Sequence, residues 1–205
     1  RLETLNSIIN NKKEIVITNL MGYLRFLPEV SIYQKSIRII SMNQDLDQME
    51  FAKYLNNIGY KRESLVTKTG EFAVRGFIVD VFPLGENHPV RFEFFGDTID
   101  SIRTFDEDTQ KSINEIQKVK IFPYSEFILD SDIEILENNQ KYLKEFSTVS
   151  SLLDYLEDPI VFYKDQPQLE IAYQNILKEA IEYRNEKDQD FYGEYMFDFH
   201  QFSPK

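Results

Sequence analysis

The sequence predicts an α/β protein of the α+β kind, and three observations carry that reading. Apolar residues recur at helical spacing near both ends, strands with alternating faces crowd the centre, and turn-forming residues separate those strands. With 205 residues the chain has room for one sizeable domain or two small ones around a real core. The layout is an α/β layer interrupted by a β-rich module between about residues 30 and 124. That module holds an antiparallel β-meander and a helix.

Leu2, Leu5, Ile8 and Ile9 mark the first helix, and Glu14 to Thr18 is a β-branched run that predicts a short strand. A short helix is expected to follow as far as Phe26, stopped by Pro28. Ser36 to Ile40 reads as another strand. Asp45 is expected to cap the next helix, with Gln48 at the capping-box position. Its apolar face would be Leu46, Met49, Ala52, Leu55 and Ile58, and Gly59 would end it.

The centre predicts four strands, at Glu71 to Phe82, Val90 to Phe95, Thr98 to Phe105 and Lys118 to Phe122. Turn residues at Leu84-Gly85-Glu86-Asn87 and Gly96-Asp97 would fold them into a meander. In the first of these strands simple alternation fails at Gly76. One extra residue there, a β-bulge, would put Phe72, Val74, Phe77, Val79 and Val81 on one face. Ala73, Arg75, Ile78 and Asp80 would then share the other. Beyond Pro123, Asp132 to Phe146 and Ser150 to Leu156 predict helices, and Ile160 to Tyr163 predicts a buried strand. Gln168 to Tyr183 predicts an amphipathic helix with Leu169, Ala172, Tyr173, Ile176, Leu177 and Ala180 on its core face.

Composition narrows the function classes. There is no cysteine, hence no disulfide, thiolate metal site or cysteine nucleophile, which fits a reducing cytoplasm. No apolar run approaches the roughly 20 residues that span a bilayer. The chain opens on Arg1 rather than Met, as expected of a piece of something longer. Thirty-five acidic residues against 23 basic leave a formal net charge of -12, so a phosphate backbone is on average repelled. Lys61, Arg62, Lys68, Arg75 and Arg91 nevertheless concentrate positive charge between residues 60 and 91, which suits an acidic protein surface better than DNA.

Chemistry is not signalled. The sequence has no G-x-x-x-x-G-K-[ST] phosphate loop and no G-x-G-x-x-G. Its two histidines, His88 and His200, are far apart, and Asp106-Glu107-Asp108 lacks the calcium-loop spacing. No catalytic residue, metal ligand or cofactor-binding residue is assigned. In Val90 to Phe95, Val90, Phe92 and Phe94 point one way and Arg91, Glu93 and Phe95 the other. An arginine, a carboxylate and a phenylalanine in a row fit an interface patch. They also fit a solvated sheet with a cross-strand Arg–Glu pair and Phe95 under a loop, and the residues alone favour that plainer alternative.

Three stretches together resemble a known module. They are Gly59-Tyr60-Lys61-Arg62; Gly70-Glu71-Phe72-Ala73-Val74-Arg75-Gly76-Phe77-Ile78-Val79-Asp80-Val81-Phe82-Pro83; and Arg91 through Arg103. The run, roughly residues 46–123, is similar to the UvrA-binding module shared by the excision-repair subunit UvrB and the transcription-repair coupling factor family. Gly59-Tyr60, Phe82-Pro83-Leu84-Gly85, Ile99-Asp100-Ser101-Ile102-Arg103, Phe105-Asp106 and Thr109-Gln110 resemble the coupling-factor version. The corresponding region of UvrB is the alternative, although its tyrosine-rich β-hairpin is missing and Ala73 stands where it typically has arginine. A helicase fragment with direct DNA binding is a further alternative.

The resemblance implies a division of labour. Residues 30–124 would be the UvrA-binding module, and residues 1–29 and 125–205 parts of a degenerate helicase-like α/β domain that has lost its nucleotide site. UvrA would be the partner, recruited to a lesion-stalled RNA polymerase in the bacterial cytoplasm. RNA polymerase, double-stranded DNA and ATP would engage other domains of the parent translocase, so this fragment would need no cofactor and catalyse nothing. Carried over position by position, UvrA-binding residues fall on Arg62, Arg75, Arg91, Glu93 and Phe95.

Overall fold

Period-two alternation in the middle of the chain becomes a sheet, and the helical periodicity around it becomes packing. The computed structural model describes residues 1–10, 15–128, 143–187 and 196–202. Its elements are α1 (Leu2–Ile9), α2 (Leu20–Leu24), β1 (Leu27–Pro28), α3 (Val30–Lys35), β2 (Arg38–Ser41), α4 (Gln48–Asn57) and β3 (Lys61–Arg62). These are followed by β4 (Glu71–Arg75), β5 (Ile78–Val81), β6 (Val90–Phe95), β7 (Thr98–Phe105), β8 (Ser112–Glu115) and β9 (Lys118–Ile121). Last come α5 (Leu143–Phe146), β10 (Val149–Ser150) and α6 (Gln166–Lys187). The chain divides into two compact units: one takes Arg1–Ser7 and Ser31–Ile133, the other Ile8–Val30 and Glu134–Lys205.

In the first unit six strands form one mixed sheet in the order β3-β4-β5-β6-β7-β8. All neighbours are antiparallel except β3 and β4, which are parallel. With few helices and mostly antiparallel strands, the fold is of the α+β class that the sequence predicts. Helix α4 lays Phe51, Ala52, Tyr54 and Leu55 on one sheet face, against Phe72, Val79, Val81, Val90, Phe92 and Phe94. Phe51 meets Phe92 edge-on with ring centroids 5.1 Å apart. Tyr60, also in this core, donates its hydroxyl to the Phe122 carbonyl at 3.0 Å and accepts from the Leu84 amide at 3.1 Å. Burial raises its pKa, as it must for a phenol kept from water.

Several local expectations change here. Asp47 rather than Asp45 caps α4, taking the Glu50 amide on its side chain at 2.7 Å. The D-x-x-E spacing Asp47 to Glu50 is the better capping register. Asp45 instead accepts from the Thr98 hydroxyl at 2.9 Å. The shifted register leaves Met49 exposed and buries Phe51 and Tyr54. Gly59 does follow the helix end, with φ +95, and a Cβ at this position would collide with Ser125.

Gly76 is not a bulge. Arg75 pairs with Ile78, so Gly76 and Phe77 are the two-residue loop of a hairpin that splits the expected strand into β4 and β5. Gly76 has φ +58 and Phe77 does not share the positive φ, the pattern of a turn with glycine at its first central position. The predicted faces survive, because Val74 still pairs with Val79 and Ala73 with Asp80. Only Phe77 leaves its expected place, ending exposed on the loop. The strand expected to finish the meander, β9, pairs with β2 in a separate two-stranded sheet, and β8 takes its place beside β7.

The second unit is built around α2 and α6. Leu20, Tyr23 and Leu24 pack with Tyr173 and Phe199, flanked by Leu169, Ala172, Ile176 and Leu177 of the predicted core face. The Ala180 side chain lies outside what is described. The Tyr23 and Tyr163 hydroxyls meet at 2.8 Å. Three expectations fail in this unit. Of the strand expected at Glu14 to Thr18, Glu14 is outside the described residues and the rest forms no strand. Ile160 to Tyr163 is likewise not a strand, and Ile160 and Phe162 are exposed. Within Ser150 to Leu156 the chain forms a bridge of β10 to β1 and one 3-10 turn instead of a helix. Of the helix expected at Asp132 to Phe146, only residues 143–146 are described, and they are helical. Among the described residues no helix is long and apolar enough to cross a membrane.

Candidate functional site

The sheet of the first unit has a second face, turned away from α4, and it carries most of the residues singled out from the sequence. Strand alternation puts Ala73 and Arg75 of β4, Ile78 and Asp80 of β5, and Arg91, Glu93 and Phe95 of β6 on this side. The register lines them up: Ala73, Asp80, Arg91 and Arg103 are successive cross-strand partners, and so are Arg75, Ile78, Glu93 and Ser101.

At the centre is Asp80, whose side chain is fully buried. Arg91 binds it with two nitrogens, Nε to Oδ1 at 2.7 Å and one terminal nitrogen to Oδ2 at 2.9 Å. Arg75 reaches the same Oδ2 at 2.5 Å. Arg91 is braced on two further sides, with its guanidinium 4.4 Å from the centre of the Phe105 ring and 3.3 Å from the Gln110 carboxamide oxygen. The bonds to Asp80 hold the Arg91 guanidinium above its ordinary pKa, outweighing the opposing effect of burial. Phe105 belongs to a small apolar cluster with Val66, Ala73 and Phe82, which fills this face on the side of the 63–70 loop.

Glu93 turns to β7 instead, accepting from the Ser101 hydroxyl at 2.8 Å and lying 3.5 Å from Arg103. The cross-strand Arg–Glu pairing expected of a plain sheet therefore exists, but as Arg103–Glu93. Arg91 belongs to Asp80. Phe95 is 83% exposed at the end of β6, not covered by a loop. Arg62 is also exposed, on the edge strand β3, and makes no side-chain hydrogen bond or ion pair among the described residues. Its register partner is Phe72, a core-face residue, so the structure does not bring Arg62 into the cluster of the other four.

Exposure separates the two arginines. The Arg75 side chain is 44% exposed and makes one bond to Asp80; the Arg91 side chain is 15% exposed. Arg75 and Arg91 share the single Asp80 carboxylate, which leaves one positive charge in excess at this centre. Sequence reasoning missed Asp80, Arg103, Phe105 and Gln110 as members of this arrangement. For Asp80 a signal existed: a carboxylate between two valines on the same face as Arg75.

An exposed face with arginine, carboxylate and aromatic side chains has the composition of a protein-recognition surface. Residues 39–127, which include this whole face, match the family described as the UvrB interaction domain. The relatives point to one kind of protein within it. Over 183 residues the chain is 35% identical to the transcription-repair-coupling factors of Staphylococcus aureus strains bovine RF122 and Mu50. It is 34% identical to that of Staphylococcus epidermidis strain ATCC 35984. Each match covers 89% of this chain and 14% of the relative, so the chain spans a small part of those proteins. The resemblance to the UvrB-like region of transcription-repair coupling factors, stated from the motifs, is what these comparisons show.

Proposed function

We propose that the outward face of the six-stranded sheet docks UvrA, and that the chain is the part of a transcription-repair coupling factor that recruits UvrA to a lesion-stalled RNA polymerase. The observation that carries this reading is a coincidence of place. The stretch matching the UvrB interaction domain is the stretch that builds the sheet, and its open face offers Arg75, Glu93 and Phe95 to a partner. Arg91 completes the charge pattern, and Arg62 adds a separate cation at the sheet edge. Residues 30–124 act as the docking module, and residues 1–29 and 125–205 belong to a degenerate helicase-like domain. The motor of the parent translocase, its ATP and its contacts with polymerase and double-stranded DNA lie elsewhere, in the bacterial cytoplasm. Direct DNA binding by this chain is disfavoured by its net charge of -12.

The geometry decides which residues test the reading. Exchanging Arg91 for glutamate would set two carboxylates against each other beside a buried Asp80, so lost binding would not separate recognition from folding. Phe95→Ala and Arg75→Ala avoid this, because Phe95 is exposed and Asp80 keeps Arg91 when Arg75 is removed. Each is expected to weaken binding of UvrA by about 1–3 kcal/mol in calorimetric titration, roughly ten- to a hundredfold, with an unchanged unfolding midpoint. Wild-type affinity in both variants would sink the proposal.

A further inference from the structure

Two of the arginines expected to meet UvrA already share a carboxylate inside the chain, which is unusual for groups meant to bind someone else's carboxylate. We infer that Asp80 is a positioning residue for this face: it holds Arg75 and Arg91 in their binding arrangement before a partner arrives. The inference rests on the UvrA reading and deepens it by naming the residue that orients the contacts.

The steps are geometric. Asp80 lies between β4 and β6 in the register, opposite Ala73 on one side and Arg91 on the other. Its side chain is fully buried, so it cannot itself meet a partner. Oδ1 is taken by Arg91, and Oδ2 is shared by Arg91 and Arg75. A flexible arginine loses rotamer freedom when it docks, and an internal brace removes that cost from the binding step. Two guanidiniums on one carboxylate also retain one net positive charge. The exposed edge of Arg75 is where an incoming acidic group completes the balance. Gln110 and the Phe105 ring hold Arg91 from its remaining sides, so only Arg75 has freedom to follow the partner.

Two variants of the full chain test this, each titrated with UvrA beside Phe95→Ala. Asp80→Asn keeps the shape and removes the charge that gathers the arginines. Arg75→Lys keeps a surface charge but lacks the planar fork that can bind Asp80 and a partner carboxylate together. Both are expected to weaken UvrA binding by about tenfold, measured well below the unfolding midpoint of each variant. In the free chain, Asp80→Asn should also broaden or speed the exchange of the Arg91 Nε–H resonance, a signature that a merely stabilising residue has no reason to couple to affinity. If Asp80→Asn lowers only the unfolding midpoint while UvrA binds as in wild type, the inference is overturned. If that variant does not fold, Asp80→Glu decides, because it displaces the carboxylate without altering a group that a partner can touch: wild-type affinity overturns the inference, and a tenfold loss in the folded variant supports it. Phe95→Ala separates the two levels. Weakening by Phe95→Ala with neither of the others affected leaves the UvrA reading standing and removes this one. No binding by the wild-type chain removes both.

Discussion

The two compact units treat similar apolar material in opposite ways. In the first, β-branched and aromatic runs are paired and covered: Val79, Val81, Val90, Phe92 and Ile99 are fully buried between the sheet and α4. In the second, two comparable runs, Ile15 to Ile17 and Ile160 to Phe162, lie open. Ile17 is 92% exposed and Phe162 89%. Propensity for extended backbone is equal or better in the second pair. What differs is a neighbouring strand, because an isolated extended segment has neither a hydrogen-bonding partner nor a face to pack. A strand is a relation between segments, and a run of Ile and Val supplies only one side of it.

The largest effect expected from this contrast is at Phe92. It is fully buried and meets Phe51 edge-on, so Phe92→Ala should cost about 3–5 kcal/mol through lost transfer energy and a cavity. Denaturant unfolding followed through the first unit checks it. A cost under 1 kcal/mol would mean that this core collapses around the gap and is less tightly packed than its burial implies.

A smaller effect tests how the first unit seals its loops. The Glu71 carboxylate accepts the Thr67 and Lys68 amides, both at 2.9 Å, and the Thr67 hydroxyl, tying down the loop that carries Val66. Burial pushes its pKa up, but these bonds prevail and hold it below the ordinary 4.5. A carboxyl depressed in the folded state stabilises in full above its unfolded value and loses that contribution as pH falls through the folded value. Glu71→Gln should therefore be less stable than wild type at pH 7, by about 0.5–1.5 kcal/mol. The gap should close as the solution is acidified well below 4.5. A difference that persists unchanged into acid would show that the charge is not what anchors the loop.

Sequence made the faces legible because alternation is local. Phe72, Val74, Val79 and Val81 were assignable to one face, and Ala73, Arg75, Ile78 and Asp80 to the other, without knowing any pairing. The Gly76 loop was misread as a bulge because a two-residue turn and an inserted residue shift the alternation alike; only Phe77 distinguishes them, and its exposure depends on the whole sheet. The Arg91, Glu93 and Phe95 row could be drawn from β6 alone. That Arg91 answers to Asp80 and Glu93 to Arg103 could not, since both pairings are set by register between strands. Helix α4 shows the same limit at smaller scale. Asp45 and Asp47 are both plausible caps, and burial of Phe51 in place of Met49 selects the second.

The smallest expected effect is the sharpest test of the contrast, because it uses the same residue type as the largest. Phe162 lies in a run whose neighbours Ile160 and Val161 are 82% and 37% exposed, so Phe162→Ser removes a ring that water already surrounds. Its cost should fall within about 0.5 kcal/mol of zero, against several for Phe92. Adjoining exposed apolar side chains favour self-association, so the serine variant should also stay in solution at concentrations where the parent chain begins to sediment faster. Equilibrium unfolding and sedimentation velocity read the two effects separately. A loss of 2 kcal/mol or more would mean that Phe162 is packed in the folded chain, and the distinction between covered and uncovered apolar runs would fall with it.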